Sequence, residues 1–295
     1  MKKSIRVALV AMKHQYVNPE APSEEMRGDI EFNLAQHRRW IERALEGEPE
    51  FIGFPEFSVT GWIERLEYAV TLDGPVAREI ESWARRWKIF LATGFVERRG
   101  GRLYNTCLIA GPRGRVGVMH KVNPIARELR CFTPGREFPV FDVAGCRMGV
   151  STCADGSYFE TFRLLSLRGA EVIFAPHANT LGAYGNCRDG WARWRTENWP
   201  YCTRTCCVAV AGMSCAGQLV RPRRNEHILK YCSGGMVMDH AGNPLAQLKG
   251  AHKREGLLTA EIDLAELRAA RAQRGREFHA SAVYNRKGGW AWGAY

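Results

Sequence analysis

The chain has 295 residues, of which 45% are hydrophobic and 25% charged, and its formal net charge is +11. A chain of this length buries enough apolar surface for one large domain or two small ones without disulfide or metal support. No apolar run approaches the roughly 20 residues of a membrane span, so we expect no membrane association. The first ten residues lack a small-residue cleavage site and are more typical of a first strand than of a signal peptide.

The positive charge raises the question of nucleic acid binding. The densest basic cluster, Arg221-Pro-Arg-Arg224, lacks the interleaved aromatic residues of a single-strand binder, and we expect no nucleic acid partner. The ten cysteines are scattered without any Cys-x-x-Cys pair. This usage fits no zinc site and indicates a reduced, cytoplasmic protein without a metal.

In the first half of the chain, a buried strand is followed by a polar loop and then by a helix capped by Asp29. Glu56 comes just after a second buried strand, and Lys121 ends a later one. The patterns predict strands over 5–12, 51–54, 89–97, 103–110 and 116–121, helices over 30–46 and 75–88, and loops over 14–27 and 122–137.

In the second half, two paired strands lead to Cys153 and a helix that Ser157 can cap. A further helix contains Pro200, which is placed to kink or end it. The patterns predict strands over 138–143, 146–152, 171–175, 206–211 and 257–262, a hairpin over 235–238 and 245–248, helices over 191–201 and 264–272, and a glycine-rich loop over 181–189. The mixture predicts a single α/β domain over 1–274, followed by an aromatic tail over 275–295.

Cys153 is predicted to lie at the carboxyl end of a strand, directly before a helix N-terminus. Backbone N–H groups there can hold an oxyanion, and the positive field at a helix N-terminus lowers a thiol pKa. Cys153 is therefore a candidate nucleophile. By position alone, a buried structural thiol is an equally good interpretation.

Three polar residues, Glu56, Lys121 and Cys153, directly follow apolar runs. Open α/β sheets bind ligands beyond the carboxyl ends of their strands, so the three side chains can converge on one pocket. A carboxylate can take the thiol proton, a lysine can stabilise a developing oxyanion, and the thiolate attacks an electrophilic carbon. Each residue alone could be an ordinary strand-end charge or thiol, but the combination favours a catalytic site.

These residues lie within longer motifs that resemble those of the nitrilase superfamily of carbon–nitrogen hydrolases. The motifs are Phe54-Pro-Glu-Phe-Ser-Val-Thr-Gly61, His120-Lys121, Glu128 before Phe132-Thr-Pro-Gly135, and Cys153-Ala-Asp-Gly-Ser-Tyr-Phe-Glu160 followed by Arg163. They occur in the family's order, and the resemblance runs from Ile5 to about Leu267. It implies a four-layer α-β-β-α sandwich that forms a homodimer or a higher homo-oligomer, with the 275–295 tail as a subunit-interface segment.

The resemblance also implies the roles of the candidate residues. Glu56 corresponds to the general base, Cys153 to the nucleophile, and Glu128 to the family's second glutamate, which positions the substrate or the lysine. Lys121 and the backbone N–H of Ala154 would stabilise the tetrahedral intermediate. The reaction would pass through a thioester and needs no cofactor or metal.

Two local features bear on the substrate. Nitrile-cleaving members typically have Glu at the position of Asp155, so the sequence favours a small linear amide, as in the aliphatic amidase and formamidase branch. N-carbamoyl (ureido) compounds are the alternative, although Gly156 and Ser157 stand where N-carbamoyl-D-amino acid hydrolases carry arginines. Trp62, His177 and Asn179 flank predicted strand ends and are candidates to line the substrate pocket or simply to pack loops.

Two further functions stay open at this stage. The same three residues serve an acyltransferase in which an amine replaces water. A non-catalytic basic binding protein on a hydrolase fold is the third hypothesis, but such a protein has no physical need of Glu56, Lys121 and Cys153 together.

Overall fold

The computed structural model describes residues 1–15, 23–179, 190–219, 231–249 and 254–278. The strands in these ranges are β1 (Ser4–Ala11), β2 (Lys13–Gln15), β3 (Phe51–Gly53), β4 (Phe90–Arg99), β5 (Arg102–Gly111), β6 (Gly114–His120), β7 (Val140–Val143), β8 (Cys146–Val150), β9 (Val172–His177), β10 (Ala209–Ser214), β11 (Gly217–Leu219), β12 (Gly235–Met238), β13 (Pro244–Leu248) and β14 (Gly256–Asp263). The helices are α1 (Ser23–Ala44), α2 (Pro75–Trp87), α3 (Glu128–Cys131), α4 (Phe159–Leu167), α5 (Gly190–Cys206) and α6 (Leu264–Phe278), and short 3₁₀ turns cover Leu45–Gly47, Leu66–Tyr68 and Cys153–Ser157.

The strands form two six-stranded sheets and one small pair. The first sheet has the order β14-β1-β3-β4-β5-β6, the second has the order β13-β12-β10-β9-β8-β7, and β11 pairs with β2. In the first sheet β1, β3 and β4 are parallel and the outer pairs are antiparallel. In the second sheet β8, β9 and β10 are parallel and are again flanked by antiparallel strands. Each sheet therefore has parallel strands whose carboxyl ends share one edge.

The two sheets pack face to face, and helices cover their outer faces. Phe51 of β3 meets Phe174 of β9 at a ring-centroid distance of 5.2 Å. Gly53 permits this approach, because a Cβ there would lie 2.3 Å from the Phe174 ring. One core includes residues of both sheets with α4 and α5, and the other joins α1 and α2 to the first sheet. The predicted four-layer α-β-β-α sandwich is confirmed.

The first helix begins earlier than predicted. The sequence predicted a loop to residue 27 and a helix from Ile30 capped by Asp29, but α1 begins at Ser23, and Lys13–Gln15 forms a short strand. The prediction followed the apolar residues, whereas the sequence Ser23-Glu24-Glu25 is a polar and acidic pattern that is typical of a helix N-terminus. Asp29 lies inside the helix and is buried.

The fifth helix continues past Pro200, so the predicted helix end near residue 201 is wrong. The predicted start of the next strand at Cys206 is also wrong. α5 continues to Cys206. Trp199 is fully buried against β10, where a Cβ at Gly212 would lie 2.2 Å from its ring, and this packing offsets the hydrogen bond that proline cannot donate. Cys207 then adopts a left-handed conformation with φ 52°, so the next strand begins only at Ala209.

Several other predicted elements agree with the structure, including α2 with Pro75 in its first turn and the β12–β13 hairpin. The last helix was predicted to end at residue 272, but α6 runs to Phe278 and so enters the predicted 275–295 tail. The predicted loop at 181–189, the Arg221-Pro-Arg-Arg224 cluster and the tail from residue 279 lie outside the described residues. No helix in the described ranges is long and apolar enough to cross a membrane.

Candidate active site

The four candidate catalytic residues meet where the edges of the two sheets face each other. β6 is antiparallel to β5, which is antiparallel to β4, so β6 runs parallel to β3 and their carboxyl ends share an edge. Glu56 follows β3, Lys121 follows β6, and Cys153 follows β8 in the opposite sheet. The backbone N–H of Ala178, just after β9, donates to Glu56 Oε2 at 2.8 Å and joins the two edges.

Lys121 bridges two glutamates. Its Nζ lies 2.9 Å from Glu56 Oε1 and 2.8 Å from Glu128. Asn105 Nδ2 donates to Glu56 Oε1 at 2.7 Å, and the backbone N–H of Ile125 donates to Glu128 Oε2 at 2.9 Å. The ammonium and both carboxylates are therefore held in fixed positions by hydrogen bonds from three separate chain segments.

The cluster is almost completely buried, since Glu56, Lys121 and Glu128 are each at most 5% exposed to solvent. Burial opposes the charge on Lys121, but the carboxylates of Glu56 and Glu128 overcome it and raise the lysine pKa above its usual range. Burial raises the pKa of Glu128, although Lys121 opposes the shift. The lysine thus keeps its proton, and the excess negative charge of the cluster favours protonation of Glu128.

Cys153 is buried, and its thiol is a weak acid. Burial and, after it, the Glu56 carboxylate raise the pKa of Cys153 to about 12, although Lys121 acts in the opposite direction. The sequence-based expectation of a lowered thiol pKa is wrong, because desolvation outweighs the field of the short 3₁₀ turn that begins at Cys153. The resting group is a thiol, which needs a base to become a nucleophile.

The turn at Cys153 differs from the predicted Ser157-capped helix. Thr152 and Asp155 form a capping box around the 3₁₀ turn Cys153–Ser157, and Tyr158 precedes α4 without a side-chain cap. Cys153 itself has a left-handed backbone with φ 50°. A non-glycine residue held in this conformation marks a strained turn, and the strain is tolerated because the surrounding hydrogen bonds determine it.

The carboxylate of Asp155 connects this turn to the segment that carries Lys121. Asp155 Oδ1 accepts hydrogen bonds from the backbone N–H of Asn123 at 2.7 Å and from its side-chain amide at 3.0 Å. Burial raises the pKa of Asp155 to about 6, although these hydrogen bonds oppose the shift. Asp155 therefore acts within the scaffold of the site.

The turn that carries Glu56 lies directly on the neighbouring strand. Phe57 has a left-handed backbone with φ 58°. The Ser58 hydroxyl forms a hydrogen bond with His37 Nε2 at 2.9 Å. A Cβ at Gly94 of β4 would lie 2.9 Å from Glu56 Cα and closer still to the backbone on either side. Only glycine at position 94 permits this approach.

The predicted substrate-binding residues have different surroundings. Asn179 Nδ2 lies 3.5 Å from Cys153 Sγ, and Ala154 is buried directly after Cys153. His177 is fully buried. Its Nε2 contacts the Arg195 side chain, and its Nδ1 lies 2.8 Å from the Ala175 carbonyl oxygen. Both ring nitrogens are thus bound within the protein, so His177 has a structural role.

The remaining predicted pocket residue, Trp62, belongs to an aromatic cluster near Glu128. Its ring lies 4.9 Å from that of Phe132, which follows α3, and its Nε1 donates to Glu64 at 2.7 Å. Residues 122–137 were predicted as a loop, but Glu128 opens the short helix α3 within them. The aromatic cluster thus packs beside the helix that carries the second glutamate.

Sequence reasoning missed several residues around the site. Asn105 is a polar residue inside an apolar strand, and that contrast is a signal for it. Arg195 is fully buried, and its charge acts on the Cys153 thiol, but nothing local distinguishes it from the other arginines of α5. Cys215 places its Sγ 3.5 Å from the Glu56 carbonyl, a contact that only the fold reveals. Within the described ranges, no group of His, Cys, Asp and Glu side chains is arranged to hold a metal ion.

A four-layer α/β sandwich with a glutamate, a lysine and a cysteine at its facing sheet edges defines the class of hydrolases that act on carbon–nitrogen bonds. The chain belongs to the carbon–nitrogen hydrolase family, whose sequence pattern matches residues 6–272. It is an enzyme of that family.

Known relatives cover most of the chain. It is 30% identical over 187 residues to a nitrilase of Pyrococcus abyssi, spanning 61% of this chain and 67% of that protein. It is 26% identical over 249 residues to an (R)-stereoselective amidase of a Pseudomonas species, spanning 83% and 84% of the two chains. A solved nitrilase-superfamily amidase from Nesterenkonia AN1 superposes with a TM-score of 0.70 at 19% identity, covering 94% of this chain and 98% of the other. This superposition supports the fold.

Proposed function

We propose that this enzyme hydrolyses a small linear amide through a thioester on Cys153 and releases ammonia and a carboxylic acid. The observation that carries the proposal is the buried bridge of Lys121 between Glu56 and Glu128 beside a protonated thiol. A thiol with a pKa of about 12 is a poor nucleophile alone, so its reaction depends on a neighbouring base. Glu56 is that base in our proposal.

In the acylation step, Glu56 takes the Cys153 proton while Sγ attacks the amide carbon. The carbonyl oxygen gains the negative charge, and the Lys121 ammonium together with the backbone N–H of Ala154 would hold it. The intermediate collapses when the C–N bond breaks and Glu56 returns its proton to the leaving nitrogen. Ammonia leaves, and the acyl group stays on sulfur as a thioester.

In the deacylation step, water replaces ammonia. Glu56 takes a proton from the water as the oxygen attacks the thioester carbon, and the same donors hold the second oxyanion. The C–S bond then breaks, the sulfur regains a proton, and the carboxylic acid leaves. Glu128 keeps the Lys121 ammonium in place through both steps, since it contacts Nζ at 2.8 Å.

Among substrates of this class, we favour amides over nitriles. By resemblance, nitrile-cleaving members have Glu at the position of Asp155. In this chain the carboxylate of Asp155 accepts a hydrogen bond from Asn123. The amidase relative from Pseudomonas aligns over a larger share of this chain than the Pyrococcus nitrilase does.

A second candidate substrate is an N-carbamoyl compound, which would release ammonia and carbon dioxide. Arg195 favours it, because this buried cation contacts His177 two residues before Asn179, and Asn179 in turn contacts Cys153. An N-carbamoyl amino acid carries a carboxylate that a guanidinium can bind.

The test is product release from a panel of small aliphatic amides, N-carbamoyl amino acids and aliphatic nitriles, with Cys153→Ala as the matched control. Ammonia from simple amides alone, lost in the variant, supports the amidase. Ammonia with carbon dioxide from N-carbamoyl compounds moves the function to the second candidate. Ammonia release that persists in the variant contradicts the proposed nucleophile.

The same assay with an added amine separates hydrolysis from acyl transfer. A hydrolase gives mainly the acid when hydroxylamine is present at low concentration, whereas a transferase gives mainly the hydroxamate. Dominant hydroxamate formation would contradict the choice of water as acceptor.

A further inference from the structure

A second cleft lies beside the strand end that carries Lys121 and is lined in part by His120. Its volume is about 220 Å³. Its walls come from the end of the β4–β5 hairpin, from β6 and from the segment after Phe132. The lining includes Arg99, Arg102, Tyr104, His120, Arg136 and Glu137, and none of the four candidate catalytic residues.

The cleft concentrates positive charge. Arg99 and Arg102 are directly paired across the antiparallel hairpin, and like charges in such a pair repel each other. Arg136 adds a third guanidinium from the facing segment. In the described ranges of the chain, none of these three arginines forms an ion pair with an acid. The lining acid, Glu137, lies 3.9 Å from the Arg168 guanidinium outside the cleft.

The rest of the lining adds hydrogen-bonding groups to this charge. The rings of Tyr104 and His120 lie against each other with centroids 4.6 Å apart. His120 Nε2 contacts Glu97 Oε2 at 2.8 Å, and Thr106 donates to the same oxygen at 2.8 Å, so the acid behind the cleft is engaged. The cleft therefore has three guanidinium groups without an ion-pair partner in the described residues, against the single lining carboxylate of Glu137.

We infer that this cleft binds the phosphate group of a small phosphorylated molecule. Arginine guanidinium groups present paired N–H donors that match phosphate oxygens, and a dianion between Arg99, Arg102 and Arg136 would remove their mutual repulsion. The volume suits a phosphate or diphosphate group with a small substituent. General attraction by the net charge of +11 would act on any anion and at any surface, whereas this site depends on three particular side chains.

The floor of the cleft is continuous with the candidate active site. The backbone N–H of Gly135 donates to the Lys121 carbonyl at 2.8 Å, and a Cβ at Gly135 would lie 2.1 Å from the His120 carbonyl oxygen. His120 and Lys121 are consecutive residues, one lining the cleft and the other contacting Glu56. A bound phosphate would thus touch the strand end that carries the lysine without contacting Cys153, which is not among the lining residues.

The test is isothermal titration of the full-length protein with inorganic phosphate and with pyrophosphate at constant ionic strength. The variants are Arg99→Gln, Arg102→Gln and Arg136→Gln, and the matched control is Arg78→Gln, which removes an exposed charge on α2. We expect saturable binding at one site per chain, weakened about tenfold or more by each cleft variant and unchanged in the control. Circular dichroism and amide hydrolysis check that each variant is folded.

Two results would overturn the site. Binding that never saturates and falls equally in all four variants would be diffuse surface attraction, and absence of binding to the folded wild-type protein would remove the proposal altogether. The three arginines lie on two separate segments. If a variant on one segment fails to fold, the binding measured for a variant on the other segment still tests the site. Preference for pyrophosphate over phosphate indicates a diphosphate ligand, and equal affinity indicates a monophosphate.

Discussion

The backbone N–H of Asn123 donates to Asp155 at 2.7 Å, and this bond links the turn of the candidate nucleophile to the segment of the candidate lysine. The two segments belong to opposite sheets, and Asp155 is fully buried between them. A short acid in this position fixes the separation of Cys153 and Lys121. It does so at an electrostatic cost, because its pKa is raised to about 6 by burial.

This electrostatic cost predicts that the free energy of unfolding depends on pH, and that Asp155→Asn removes this part of the dependence. In the folded protein Asp155 binds a proton more readily than in the unfolded chain, so its contribution to stability falls as the pH rises from about 4 to about 6. A pKa of about 6 instead of 3.8 corresponds to about 3 kcal/mol over that interval. Urea unfolding at pH 4.5 and 7.5 covers about two thirds of this range, so we expect a loss of about 2 kcal/mol in the wild-type protein and a smaller one in Asp155→Asn.

The control for this prediction is Asp142→Asn, since Asp142 is exposed on β7 and pairs with Arg147 at 3.6 Å. Its unfolding should keep the wild-type pH dependence. An identical dependence in Asp155→Asn would show that other groups titrate over this interval.

Glu56→Gln should slow both turnover and alkylation of Cys153. A thiol with a pKa of about 12 is almost entirely protonated at neutral pH, so both reactions need the carboxylate as a base. We expect kcat to fall about 10²- to 10⁴-fold, the usual contribution of a general base. Peptide mass spectrometry after iodoacetamide treatment should show slow labelling of Cys153 at pH 7.5, while Cys131, which is partly exposed, is labelled at the wild-type rate. Fast labelling of Cys153 in the variant would contradict the role of Glu56.

The sequence predicts the positions of these groups well and their energetics poorly. Glu56, Lys121 and Cys153 each follow an apolar run, and the end of a buried strand can be located from a local pattern. The raised pKa of Cys153 depends on contacts between the two sheets, which leave its side chain 6% exposed. Nothing local to residues 146–160 encodes this burial.

The errors in the fold have the same origin. Pro200 is a local signal for the end of a helix, but the burial of Trp199 against Gly212 of a distant strand keeps the helix intact. The arginine cleft could not be predicted from the sequence either. Arg99 and Arg136 line one cleft only because the β4–β5 hairpin lies beside the segment after α3. Charge counted along the sequence gives no sign of this cluster.

Lys121→Met should destabilise the fold more at neutral pH than at acidic pH. The substitution leaves Glu56 and Glu128 buried without their shared cation, and removing one partner of a buried ion pair costs about 3–5 kcal/mol. At pH 5 protonation of Glu128, whose pKa is raised by burial, relieves part of this cost. Urea unfolding of the wild-type protein and the variant at pH 5 and 7.5 measures the difference.

A second variant separates this charge effect from loss of the lysine side chain's packing. Lys121→Met combined with Glu128→Gln removes one of the two stranded charges, so we expect it to recover part of the stability at pH 7.5 without recovering activity. Equal stability of the single and double variants would mean that packing of the lysine stem dominates.

Gly94→Ala should lower activity because the new methyl group displaces the turn that holds Glu56. The added Cβ would lie 2.6 Å from the Phe57 nitrogen and 2.9 Å from Glu56 Cα, and backbone atoms cannot yield as a flexible side chain can. Gly28→Ala is the matched control, since a Cβ there meets nothing within 4 Å and Gly28 lies inside α1. The control should gain about 1 kcal/mol in unfolding free energy from helix propensity and keep wild-type kcat/KM. If Gly94→Ala retained full kcat/KM, the position of the Glu56 turn on β4 would not matter for the reaction.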